Sequence, residues 1–175
     1  MKGEIGMYLD VCLVMMITIA VYMDLKSRRI PNLVTGGGLV AALSYHYYMQ
    51  GVSGLFFGVK GLAAGLALLL LPFILGGMGA GDVKLLGVIG AFKGSVFAVS
   101  TFLWMALWGG VMAVALLLIN GQLLNTLSRL GRGLMMAGMG MGSLGDAVSK
   151  EELSIYYPYA LAIALGVLTS YFKGW

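Results

Sequence analysis

Apolar residues occupy the chain in long blocks, at about 5–23, 33–48, 55–75, 83–93, 98–119 and 158–172, with polar residues and glycines gathered between them. A helix needs about 20 apolar residues to cross a hydrocarbon layer of ~30 Å, and a helix satisfies its own backbone polar groups there. The pattern predicts an all-α, polytopic membrane protein of six transmembrane helices, forming one domain over residues 1–175. The segments between the blocks read as turns. Proline disfavours a helical residue before it and suits a first helical turn, so Ile30-Pro31-Asn32 resets the chain. Gln50-Gly51-Val52-Ser53-Gly54 reads as a short turn, and Gly76-Gly77-Met78-Gly79-Ala80-Gly81 as a loop, since four glycines in six residues continue a helix poorly. With a further turn at Lys93-Gly94-Ser95, the helix between is only about three turns long, and its acidic start lies below the membrane surface.

Composition points the same way. The chain is 60% hydrophobic and 10% charged, where a soluble domain has roughly 25% charged residues, and its mean hydropathy is +0.95. These values exclude a disordered segment, a secreted disulfide scaffold and a compact cytosolic enzyme. The single Cys12 lies within an apolar block, so no internal disulfide forms and it reads as a small buried hydrophobe. His46, among Ser44, Tyr45, Tyr47 and Tyr48, reads as an interfacial residue at a helix end. No metal and no cofactor is expected.

The net charge of +4 comes from eleven Lys and Arg scattered among the blocks, which argues against nucleic acid and for juxtamembrane anchoring. Lys26, Arg28 and Arg29 follow the first block while Lys2 precedes it, so the first block reads as a retained span with its start outside. By alternation Lys26, Arg28, Arg29, Lys84, Arg129, Arg132 and Lys150 fall inside, and Lys2, Lys60, Lys93 and Lys173 outside. The long stretch 120–157 becomes an inner loop. Within it, four methionines among the glycines of 134–142 suit an adaptable apolar surface, read either as a segment that closes over a substrate helix, which a crosslink from Met139 would show, or as a membrane-surface connector that does not touch the substrate.

Of seven acidic residues, Asp24 and Asp82 stand where a membrane helix meets the inner face, and ionisable groups at such a depth are functional candidates. Asp10, in the outer part of the first block, reads as interfacial or partner-facing. Brought together, Asp24 and Asp82 would share one proton, because neighbouring like charges do not both ionise cheaply. Such a pair can activate a water with its ionised member and polarise a carbonyl with its protonated one. Gly79 and Gly81 would let an extended peptide approach the backbone beside Asp82.

Asp24 with Arg28-Arg29-Ile30-Pro31-Asn32, then Gly79-Ala80-Gly81-Asp82-Val83-Lys84-Leu85, then Pro158-Tyr159-Ala160, together resemble the type IV prepilin peptidase family in its short form, as in tight-adherence pilus and preflagellin peptidases. The resemblance implies a membrane aspartic endopeptidase of the GxGD kind, with Asp24 and Asp82 catalytic. Its partners would be prepilins or pseudopilins and the lipid bilayer. The place would be the inner membrane, cutting at the cytoplasmic interface. It further implies a substrate with a short basic leader, a glycine at the cut and an apolar helix carrying a glutamate, which Lys84, one helical turn or less from Asp82, and Lys26 would meet. The paired Cys-x-x-Cys zinc ligands of longer members are missing, which leaves methyl transfer without support, and Ala160 stands where members often have glycine. The alternatives are another GxGD intramembrane protease, although Met23 rather than tyrosine precedes Asp24; a small proton-coupled transporter, although no internal repeat is visible; and a structural pilus-base protein.

Overall fold

A computed structural model describes residues 2–121, 128 and 159–174, with side chains of the first helix from Gly6 onward. The methionine-rich stretch 134–142, the basic residues Arg129, Arg132 and Lys150, and Pro158 lie outside the described residues. Five helices are described: α1 (Lys2–Ser27), α2 (Asn32–Ile74), α3 (Ala80–Lys93), α4 (Ser95–Ile119) and α5 (Tyr159–Phe172). The protein is an integral membrane protein on their lengths and composition: Gly6–Ser27, Asn32–Ile74 and Ser95–Ile119 are long and apolar enough to cross a membrane, and Tyr159–Phe172 is a shorter apolar helix.

The 43 residues of α2 are two arms rather than one rod. Gly51 breaks the helix with φ 62° and ψ −141°, a conformation that costs glycine little and other residues much. The arms 32–50 and 52–74 then fold back on each other: the His46 and Phe57 rings lie 5.1 Å apart, and a Cβ on Gly58 would lie 2.8 Å from Leu43 Cδ2. Residues 43 and 58 would stand about 22 Å apart in an unbroken helix. The expected five-residue turn thus shrinks to one residue, and Gly54 is helical and buried because its bare backbone packs on the His46 carbonyl. His46 itself is buried rather than interfacial. Its Nε2–H donates to the Phe92 carbonyl at 3.1 Å, tying the hairpin to the end of α3.

Each helix end has its own cause. The α1 helix runs on to Ser27, past the expected limit, and stops where Arg28 takes φ 54° and its N–H bonds the Asp24 carbonyl at 2.8 Å, an αL cap on a residue other than glycine. The α2 helix closes in a Schellman arrangement: Gly76 has φ 76°, its N–H bonds the Phe73 carbonyl, and the Gly77 N–H bonds the Pro72 carbonyl, both at 3.0 Å. Gly94 at φ 90° separates α3 from α4.

The chain divides into two compact units, Met1–Trp108 with Pro158–Trp175, and Gly109–Tyr157. In the first, α3 is the inner helix: Val83 and every residue from Leu85 to Phe92 are buried, as expected of a helix apolar all round. It packs on α2, α1 and α5. Its contact with the second arm of α2 is made of glycine, with Gly61 against the Gly90 carbonyl and Gly65 against the Leu86 carbonyl; small residues let membrane helices approach this closely. In the second unit, α4 ends at Ile119; the Asn120 side-chain amide donates to the Leu116 carbonyl at 2.8 Å, and Gly121 turns away at φ 64°.

Candidate active site

Asp24 sits in the last turn of α1 and Asp82 in the first turn of α3, with relative exposures of 8% and 7%. The helices run in opposite directions, so these ends come together. Asp82 feels the negative charge of Asp24, and burial plus that charge raise its carboxyl from 3.8 to about 6. Burial is the larger cause, and the hydrogen bond from the Gly79 N–H to Asp82 Oδ2, 3.2 Å, opposes it. At 14 residues and about 21 Å, α3 is shorter than the ~30 Å hydrocarbon layer.

Gly79 precedes α3 in an extended conformation, φ −81° and ψ 151°, and its carbonyl accepts the Asp82 N–H at 3.2 Å. Asp82 therefore caps its own helix, and the positive end of α3 favours a negative charge there. Gly81 has a different task. A Cβ added to it would lie 3.1 Å from Ile30 Cβ, so the bare glycine admits Ile30 of the Ile30-Pro31-Asn32 turn. The space expected to serve an approaching peptide is, at Gly81, filled by the protein's own side chain. Gly79 is exposed.

Lys84 Nζ donates to Asn32 Oδ1 at 2.8 Å. The two motifs are therefore joined twice, Ile30 on Gly81 and Asn32 on Lys84, and the same turn follows directly from Asp24. Ile30 and Asn32 belong to the site's framework although neither carries a titratable group; their place in the Ile-Pro-Asn element was the signal that could have found them. Lys26 is not brought to this cluster. Two positions beyond Asp24, it points about 200° round the helix, and its ammonium lies over the Tyr22 ring at 5.6 Å. Beside the Asn32–Lys84 contact opens a groove of about 330 Å³, lined by Thr35, Leu39, Leu62, Leu66 and Val88. Among the described residues no three His, Cys, Asp or Glu side chains gather into a set that could hold a metal ion.

The chain thus combines span-length apolar helices with two carboxyls buried at facing helix ends. The pattern of the type IV leader peptidase family matches residues 11–114, more than half of the chain and a stretch holding both acids, and the chain belongs to that family. Membership makes it a leader-peptidase-like protease rather than a transporter. The Pro158-Tyr159-Ala160 element lies beyond the matched residues. No characterised protein and no solved structure matches the chain.

Proposed function

We propose that the chain is an aspartic endopeptidase that removes the short basic leader from prepilins or pseudopilins, with Asp24 and Asp82 as its catalytic pair. The observation that carries this reading is that the two buried acids stand at facing helix ends and that Asp82 responds to the charge of Asp24. Two interacting carboxyls hold one proton between them over a range of pH. The ionised carboxyl takes a proton from a water as its oxygen attacks the scissile carbonyl carbon. The protonated carboxyl donates toward the carbonyl oxygen, giving a tetrahedral diol. When the C–N bond breaks, the protonated carboxyl gives its proton to the leaving amine, which becomes the new N-terminus, while the other carboxylate takes one from a diol hydroxyl, so the pair is again singly protonated.

The substrate's apolar helix would lie along the groove between the arms of α2 and α3, with its leader toward the Asp24–Asp82 pair. Lys84 would give up the neutral Asn32 amide for the glutamate of the substrate helix, a charge-assisted bond in place of a neutral one. Gly79, exposed beside Asp82, would receive the peptide backbone. Gly81 would contribute through the packing that lets the turn approach, and Lys26 would act at longer range on the leader's surroundings. The topology proposed is six crossings, with the two arms of α2 counted separately and α3 and α5 as short ones. The acid pair would then stand at the cytoplasmic face of the inner membrane.

Asp24→Asn and Asp82→Asn, purified as inserted full-length protein and given a synthetic peptide of basic leader, glycine and apolar helix with a glutamate, should each lose at least ~10³-fold in cleavage. Cleavage retained by either variant would reject the pair.

A further inference from the structure

At the end of α1 and α3 opposite the acids, a second cluster joins the same two helices. Asp10 of α1 forms an ion pair with Lys93 of α3. Tyr171 of α5 donates its hydroxyl to Asp10 Oδ1 at 2.9 Å, and the Lys93 ammonium lies 4.6 Å from the centre of the Tyr171 ring. Phe97 packs on that ring edge to face, with centroids 5.2 Å apart. From Asp10 to Asp24 α1 rises about 21 Å, whereas from Asp82 to Lys93 α3 rises about 16 Å. The difference, about one helical turn, is within the reach of the long lysine stem, whose ammonium meets Asp10.

The two helices are thus held together at one end by attraction and carry at the other a pair of acids that repel when both are charged. Repulsion there works to splay α1 from α3. The resistance comes from the Ile30–Gly81 and Asn32–Lys84 contacts nearby and from the Asp10–Lys93 pair at the far end, which acts over the whole length of both rods. We infer that Asp10, Lys93 and Tyr171 form a clamp that sets the spacing of Asp24 and Asp82 from the opposite end of the helices. They are positioning residues and touch no substrate. The inference rests on the reading of Asp24 and Asp82 as the catalytic pair. Misplacement of reacting groups by about 1 Å is enough to cost ~10²-fold in rate, so the clamp need restrain only a small tilt of α3 on its glycine contact with α2 to matter at Asp82.

The test uses the full chain in detergent with the synthetic peptide described above. Asp10→Asn and Lys93→Met should each lower kcat by roughly 10- to 100-fold while KM stays within about 2-fold. Tyr171→Phe, which keeps the ion pair, should lose roughly 3-fold. The exchange Asp10→Lys with Lys93→Asp should recover kcat to within about 3-fold of the native chain, since the tyrosine hydroxyl can accept from lysine as readily as it donates to aspartate. The acidic and alkaline midpoints of the pH–rate profile should also draw closer in the single variants, because carboxyls further apart are less coupled. Loss of stability alone would lower the yield of active protein without moving those midpoints. Native kcat in the single variants, or an unmoved profile with no recovery in the exchange variant, overturns the clamp while leaving the acid pair standing. Cleavage by Asp24→Asn or Asp82→Asn overturns both.

Discussion

Lys84 and Asn32, 52 residues apart in the chain, share a 2.8 Å hydrogen bond that closes the turn after α1 onto the first turn of α3. A lysine serving only as an anchor in the headgroup region would not need that partner. If Lys84 instead exchanges the amide for a carboxylate on the substrate, its loss is felt mainly in binding. Lys84→Met should raise KM about 10- to 100-fold with a smaller change in kcat, the range expected for a hydrogen bond to a charged group. The penalty should vanish for a peptide whose glutamate is replaced by glutamine. An equal penalty on both peptides would leave Lys84 a framework residue. Steady-state kinetics on the two peptides decides between them.

The Asp82 carboxyl, 3.8 in the unfolded chain, lies at about 6 in the fold. The folded protein therefore binds the proton more tightly than the unfolded chain does between those values. Its stabilising contribution is complete below the lower value and is lost as the pH rises through the higher. Asp82→Asn removes the charge that burial penalises. It should melt several degrees above the native chain at about pH 8, and the gain should close at about pH 4. Activity has a different dependence: kcat/KM should be bell-shaped, falling on the alkaline side with a midpoint of about 6 as the shared proton leaves. Thermal melts in detergent and a pH–rate profile measure the two separately.

The helices were legible because each feature that marks them is local. The short α3 follows from Lys93-Gly94-Ser95 ending what Asp82 begins, and the acids stand out because carboxyls are rare in so apolar a chain. What could not be read is what depends on distant partners. The fold-back of α2 on a single Gly51 looked like a five-residue turn, since glycines at 51 and 54 resemble loop residues until the packing shows that Gly54 meets the His46 carbonyl. His46 looked interfacial from its aromatic neighbours, and its buried bond to Phe92 spans 46 residues. Asp10 and Lys93 were both assigned to the outer side, yet nothing local in either segment pairs them.

Gly81 tests the joining of the two motifs independently of chemistry. A Cβ there would lie 3.1 Å from Ile30 Cβ and 3.4 Å from its Cγ1, closer than ordinary contact, so the isoleucine would have to give way. Gly81→Val should lower the melting temperature and cut activity at least ~10-fold, and Ile30→Ala in the same chain should recover part of both. If the second substitution recovers nothing, the glycine is needed for the substrate rather than for Ile30. Melting and cleavage measured on the single and double variants separate these outcomes.

The contact between the second arm of α2 and α3 leaves still less room. A Cβ on Gly61 would run into the Gly90 carbonyl and one on Gly90 into the Gly61 carbonyl. Backbone meets backbone there, and no rotamer change can relieve the clash. Each substitution would push α3 off the hairpin and break the packing that buries Leu85, Leu86 and Ile89. Gly61→Val and Gly90→Val should each cost about 3 kcal/mol or more, near the upper end for overpacking, because the neighbour that must move is a main chain. Gly36→Ala and Gly37→Ala, where nothing lies within 4 Å of the added carbon, should instead be neutral or slightly stabilising, since alanine gives up less conformational freedom on folding than glycine does. Thermal unfolding of the four variants in one detergent makes the comparison. A folded Gly61→Val chain melting with the native protein would mean that α3 does not rest on this crossing.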